Sequence, residues 1–201
     1  MEIKYHFNKV SMQALQRHLK IRYSALPILK SKEAALRLQE KKQKELYADL
    51  ERQYEQKTEQ LRADIRLWSE FPTEVYSMKN MSVVASKVAG IAVPDVGDID
   101  WHIRDFSRFH KPLWTHTGVT ILRDLTFLLA RMEVVAKSAE IIGQARRKTT
   151  QKVNLYEKVQ IPAYEEAIRK IKRYLEDIAN LDTAVQKITK QRNEAAEGEA
   201  S

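Results

Sequence analysis

The sequence predicts a mainly α protein: a long antiparallel two-helix coiled coil with a small middle region containing a short β-hairpin. Three observations predict it. No glycine precedes Gly90, and Pro27 is the only breaker between Val10 and Trp68. Apolar residues recur with a period near 3.5 in both flanks of the chain. Strand formers and most of the prolines collect only between the flanks. The chain divides into an N-terminal helix over residues 1–68, a middle region over 69–117, and a C-terminal helix with a polar tail over 118–201.

The first helix is read from Val10 to Trp68, with Asn8 or Ser11 as its cap. Its composition is rich in Leu, Gln, Lys, Arg, Glu and Ala, all strong helix formers. Stepping alternately by four and three from Leu15 visits sixteen positions, of which ten are Leu, Tyr or Trp. Leu15, Leu19, Leu26, Leu29, Leu36, Tyr47, Leu50, Tyr54, Leu61 and Trp68 form that line. So narrow a seam at period 3.5 belongs to a coiled coil rather than to a broad globular face. Glu33 with Arg37, and Glu40 with Lys44, are i,i+4 pairs in the favourable order. A helix of this length spans about 87 Å at about 1.5 Å per residue, too long for a compact domain of this size.

The second flank mirrors the first from about Val119 to Lys190. Leu122, Leu125, Leu129, Met132, Val135 and Ala139 make one seam. Ile161, Tyr164, Ile168, Ile171, Leu175, Ile178, Leu181, Val185 and Ile188 make another, with one residue skipped near Leu181. Gly143 and Thr149-Thr150 form a soft stretch between the seams. Pro162 should bend the helix or break a hydrogen bond. The tail Glu194–Ser201 is small, polar and expected to fray. In the middle, Met81, Val83, Val84, Val88, Ile91 and Val93 suit strands, and Ala85-Ser86-Lys87 is the expected turn between them. Trp101, Phe106, Phe109 and Trp114 follow in an irregular segment. A lone hairpin is marginal in water, so it must pack on these aromatics, on the helices or on another protein.

Composition limits the chemistry. There is no cysteine, which excludes disulfides, thiolate-bound zinc and a thiol nucleophile. Gly90 and Gly97 are the nearest pair of glycines, which excludes phosphate-binding loops of the Walker and dinucleotide types. His102, His110 and His116 are too loosely spaced for a metal motif. Asp95, Asp98 and Asp100 lack the rest of a calcium loop. No catalytic residue, cofactor or metal is expected. No apolar run reaches the roughly 18 residues of a membrane span, and the N-terminus lacks the apolar core of a signal peptide. A soluble, cytoplasmic protein is expected. The net charge is +8, distributed as +6 over 1–68, −1 over 69–117 and +3 over 118–201. Such a balance admits nucleic acid, acidic lipid or an acidic protein, or simply a solvated helix surface. Arg146-Arg147-Lys148 has no interleaved aromatics of the kind that bind single strands.

Three ordered pieces carry a family resemblance. Asn8-Lys9-Val10-Ser11 with Leu15 and Ile28-Leu29-Lys30-Ser31-Lys32 is similar to the first helix of the D subunits of V-type (A/V-type) ATPases. Val88-Ala89-Gly90-Ile91-Ala92-Val93-Pro94 resembles the hairpin segment of that family. Val153-Asn154-Leu155-Tyr156-Glu157-Lys158-Val159-Gln160-Ile161-Pro162 resembles the Val-Asn, Glu and Ile-Pro pattern of its last helix. The chain departs from the family at Glu33-Ala34 and at Asp182-Thr183-Ala184-Val185. The resemblance implies a non-catalytic rotor shaft of the central stalk, peripheral to the membrane. Its helices enter the bore of the hexamer of catalytic and non-catalytic subunits. Its middle binds the small F subunit of the stalk and faces the membrane-rotor connecting subunit. The resemblance implies an interface with the F subunit in the middle region, around Val88, Gly90, Ile91, Val93 and Pro94. Trp101, Phe106 and Trp114, gathered in a segment too small to bury them, are read as anchors of the same interface. It implies a bore-facing surface carrying Lys20, Arg22, Lys30, Lys32, Arg169, Lys170, Arg173 and Lys187. A shaft turning against a bearing should have a polar outer surface free of large apolar patches. Two other classes remain open. A prefoldin-like coiled-coil chaperone subunit would need apolar helix tips, and a basic coiled-coil nucleic-acid-binding protein would need concentrated basic blocks.

In an antiparallel pair, the numbers of facing residues keep a nearly constant sum, here about 187 if the helices end near Trp68 and begin near Val119. Pro27 then lies level with Pro162, and residues from Asp182 onward run past the N-terminus as a single helix.

Overall fold

The structure, a computed structural model, describes residues 3–63, 65–104 and 112–199. It is 77% helical, as the sequence predicts, with one antiparallel two-stranded sheet among the described residues. The order is α1 (Lys9–Ala63), α2 (Ile65–Trp68), β1 (Tyr76–Val88), β2 (Ile91–Ile103), α3 (Thr115–Asn154), a π-helical turn (Leu155–Gln160) and α4 (Ile161–Glu199). Of the two candidate caps, Asn8 serves: its Oδ1 accepts the Ser11 N–H at 2.7 Å. α1 carries Pro27 without interruption. The expected fraying from Glu194 gives way to helix as far as Glu199.

The disturbance at Pro162 takes the form of the π turn. The Ile161 N–H donates to the Tyr156 carbonyl, five residues back. Pro162 has no N–H, and its ring would press on the carbonyl four residues earlier in a regular helix. The wider turn relieves that pressure. It also corrects a phase. Leu128, Val135, Ile142 and Thr149 are buried at intervals of seven, and Val153, Tyr156 and Gln160, half-buried, continue the alternation. The next buried residue is Ile161, immediately after Gln160. One surplus residue is therefore housed in the π turn.

The chain forms two compact units: residues 1–31 with 150–201, and residues 32–149. In the first, Leu15, Tyr164, Ala167 and Ile171 form the core, with Met12, Leu19, Ile168 and Leu175 beside it. An extended N-terminal strap covers one side through Ile3 and Tyr5, and the Phe7 ring rests on Tyr174 with centroids 4.9 Å apart. Across the pair, Arg22 bonds Gln160, Tyr23 bonds Glu165 and Lys30 bonds Glu157. These numbers, with those of the second unit below, add to between 181 and 188, close to expectation. Pro27 lies between Tyr23 and Lys30, whose partners Glu165 and Glu157 bracket Pro162. The expected seam ends at Leu175. From Glu176 to Asn193 every residue is exposed, and α1 begins only at Lys9.

In the second unit, Leu36 and Ile142 are fully buried against Val93 of the hairpin, and Leu50 packs on Leu128 and Val135. Lys57 pairs with Asp124 at 2.7 Å. Leu128 takes the place expected for Leu129, which is 45% exposed. The hairpin turn is Ala89-Gly90, with φ of 51° and 76°, and not Ala85-Ser86-Lys87, which lies inside β1. Two central residues with positive φ twist as the flanking strands do, which a turn at 85–87 would not supply. The strands are thirteen residues each, longer than expected, and take in Trp101, which the sequence places in an irregular segment. Two register shifts, between Met78 and Asn80 and between Met81 and Val83, bend them.

Below the hairpin, Trp68, Phe71 and Trp114 form an aromatic knot with centroids 5.1–5.6 Å apart. Gly118 admits it: a Cβ there would stand 2.8 Å from both the Phe71 and Trp114 rings. Two substitutions test this packing. Gly118→Ala should destabilise by about 1–3 kcal/mol despite a gain in helix propensity of about 1 kcal/mol. Leu36→Ala should cost about 2–5 kcal/mol. Chemical denaturation monitored by circular dichroism reads both, and a stabilised Gly118→Ala variant would refute the close-packing account.

Candidate interaction surfaces

The hairpin is fastened to the helices by its inner face. Val88, Ile91 and Val93 pack toward Leu36 and Ile142, with Val93 only 3% exposed. The Ser138 hydroxyl on α3 donates to the Pro94 carbonyl at 2.6 Å. Trp101 stacks on Tyr76 with centroids 5.7 Å apart, and the Arg123 guanidinium lies 5.6 Å from its ring centre. The Tyr76 hydroxyl donates to Thr126 Oγ1 at 3.1 Å. Burial there pushes the Tyr76 phenol above its ordinary value, partly offset by Thr126 and Arg123.

The residues singled out from the sequence therefore have different places. Gly90 is at the exposed tip and Pro94 is half-buried. Val88, Ile91, Val93 and Trp101 form the underside of the hairpin. Trp114 belongs to the aromatic knot, and its indole N–H is buried without a hydrogen-bond partner among the described residues. Phe106 and Phe109 lie outside the described residues. The exposed apolar residues of the hairpin are Met78, Val83 and Val84, at 45%, 52% and 56%, with Val83 and Val84 on opposite faces of the strand. Met78 and Met81 also line an apolar groove against Tyr47, Leu129 and Met132. Sequence reasoning counts Val83 and Val84 only as strand formers. The bulges between Met78 and Val83 set which side chains face out, and no local residue pattern announces them.

The basic residues are likewise of two kinds. Arg22 is built into the first unit. Its Nε donates to Gln160 Oε1 at 2.7 Å, its Nη1 donates to the His18 carbonyl, and its guanidinium lies over the Tyr164 ring. Lys30 pairs with Glu157 at 2.7 Å and Lys170 with Glu166 at 2.9 Å. Lys20, Lys32, Arg169, Arg173 and Lys187 are exposed. The expected polar exterior does not hold throughout. Val10, Ile21 and Ile28 on α1, and Leu181, Val185 and Ile188 on α4, are 53–76% exposed. Among the described residues no cluster of acids and histidines could hold a metal ion, and no helix is long and apolar enough to cross a membrane.

Residues 11–191 match the model of the family of ATP synthase D subunits. The D subunit of the V-type ATP synthase of Borreliella burgdorferi is 27% identical over 176 residues, 87% of each chain. The D subunits of the V-type ATP synthases of Chlamydia pneumoniae and Chlamydia caviae are 24% and 27% identical. They cover 96% and 94% of this chain, and 95% and 89% of their own length is covered in return.

Exposed and buried residues of the hairpin should respond differently to substitution. Met78→Ser and Val84→Ser should change stability by within about 0.5 kcal/mol, as exposed sites do. Val93→Ser should cost several times more, because it opens a cavity and buries a hydroxyl beside Leu36. Thermal melts of the three variants check the assignment.

Proposed function

The chain belongs to the family of ATP synthase D subunits, and we propose on that premise that it is the rotor shaft of a V-type ATPase, carrying torque between ATP turnover in the catalytic hexamer and ion movement by the membrane rotor. As a subunit of such an ATPase it is a non-catalytic stalk component. The observation that carries the shaft reading is the end of α4. From Glu176 to Asn193 the helix continues with every residue exposed. It displays Leu181, Val185 and Ile188 along one stripe, with Lys187 beside them. A helix of this kind suits enclosure by a ring of other subunits, where a thin apolar stripe can slide and a few cations can meet acidic loops in several positions. Lys20, Lys32, Arg169 and Arg173 extend that basic surface. Arg22, Lys30 and Lys170 act within the shaft through their own partners.

The hairpin is the proposed seat of the F subunit. Contact falls to Met78, Val83 and Val84, with Gly90 and Pro94 at the rim. Val88, Ile91, Val93, Trp101 and Trp114 hold that surface in place from beneath. Exposed apolar side chains gathered on one small element mark interaction sites. The connection to the membrane rotor is assigned to the middle region as well.

Reconstitution of the whole complex tests the shaft. Removing residues 182–201 should leave the hairpin, and hence capture of the F subunit, intact while ATP-driven ion transport falls at least tenfold. Transport at the intact rate would overturn the reading. The variant Met78→Ser/Val83→Ser/Val84→Ser should do the reverse, weakening that capture tenfold or more with α-helical content unchanged. The purified chain alone should bind no ATP at millimolar concentration in a calorimeter.

A further inference from the structure

One layer of the seam between α1 and α3 is ionic. In the alternation of four and three that begins at Leu15, Glu33 and Glu40 occupy successive equivalent positions one heptad apart. Leu19, Leu26, Tyr47, Tyr54, Leu61 and Trp68 hold the other places in that series. The residue facing both carboxylates is Arg146 of α3. Its Nε donates to Glu40 Oε2 at 2.5 Å, and its Nη1 lies 4.0 Å from Glu33 Oε1. The other Glu40 oxygen accepts a hydrogen bond from Lys44 Nζ at 2.8 Å. The side chains of Glu40, Glu33 and Arg146 are 12%, 20% and 27% exposed, and Leu36 and Ile142 nearby are fully buried. The hydrogen bond from Lys44, and then Arg146, hold the Glu40 carboxyl below its ordinary value against the opposing effect of burial.

Such a layer adds little net stability over apolar residues of the same shape, since desolvation consumes most of the attraction. It does distinguish registers. A row of leucines repeats every seven residues, so a slip of one heptad, about 10.5 Å, restores most of its contacts. The ionic layer does not repeat in this way. Slipping toward Tyr47 leaves Arg146 with Glu40 alone, and slipping the other way leaves it with Glu33 alone, set beside Leu26. Either slip strands one carboxylate in the seam without its guanidinium. We propose that Glu33, Glu40 and Arg146 form an axial latch that fixes α1 against α3 in a single register. The latch is a property of the chain itself and holds whatever partners the shaft takes.

The chain has no cysteine, so cysteines introduced at the exposed Lys42 and Lys148 carry spin labels without background. Pulsed electron resonance on the full chain should give one interhelix distance in the otherwise native protein. In the Glu33→Leu/Glu40→Leu/Arg146→Met variant the melting temperature should hold or rise while a second distance appears, displaced in keeping with a slip of about 10 Å along the axis. A single unchanged distance in that variant overturns the latch. Arg146→Met alone should melt below the native protein at pH 7. That deficit should shrink by half or more near pH 4, where about half the free carboxyls are protonated and the native latch weakens too. A deficit independent of pH would overturn the ionic account. The sign follows from Glu40: a carboxyl held low in the folded state stabilises above its unfolded value and loses that contribution as pH falls through its folded one.

Discussion

Two helices in contact along one line can bury only one residue in every three or four of each. That restriction governs both compact units. Leu15, Leu36 and Leu50 are the deepest residues of α1, and all fall on one heptad position. Each stabilises by about 1.5–3 kcal/mol through burial, and no second layer lies behind them to compensate for a loss. The strap of Ile3 and Tyr5 in the first unit and the hairpin in the second are the devices that thicken this thin core. Each lays a third element across the groove between two helices and converts half-buried residues into buried ones.

The hairpin illustrates the division of labour this produces. Its inner face is committed to Leu36, Ile142 and Ser138, and its base is held by the Tyr76–Trp101 stack under Arg123. Rigid support from the helices lets the rest of the hairpin carry exposed apolar residues without collapsing on itself. The Trp68–Phe71–Trp114 knot does the same for the segment where α2 leads into the hairpin and α3 begins, with Gly118 giving it room.

Much of this is legible in the residues. The seam from Leu15, the pairing sum and the exposed end of α4 all follow from a 3.5-residue period and from where breakers fall. The interruption near Pro162 is visible as a proline inside a seam, although its form is not. A proline signals a missing donor, and only the phase of the buried stripe on both sides tells whether the helix bends or widens. The hairpin turn escapes a reading by composition because Ala89 is an unusual residue for positive φ, and the small and polar residues at 85–87 look more turn-like. The candidate interface is half legible. Hydrophobicity marks the strands, but inward and outward faces depend on two bulges set by pairing across the sheet. The ionic layer is harder to see. Spacing alone pairs Glu33 and Glu40 with residues on their own helix, whereas Arg146 meets both from across the seam. Periodicity within one helix carries no information about what stands on the other.

The π turn has a consequence for the length of the chain. A regular helix transmits any insertion or deletion to its far end as a rotation of about 100°, turning a buried stripe toward solvent. The segment Leu155–Gln160 already stores one residue more than an α-helix would use, and it does so at half-exposed positions with Leu155 and Val159 facing outward. Taking one residue out of this segment would restore ordinary α geometry and leave Thr149 on one side and Ile161 on the other in their present orientations. The same deletion anywhere between Thr115 and Thr149 would misalign everything after it. The loss of one residue is thus tolerated at one point of the second strand of the coil and not in the helix before it, a slack of a single residue built into the turn.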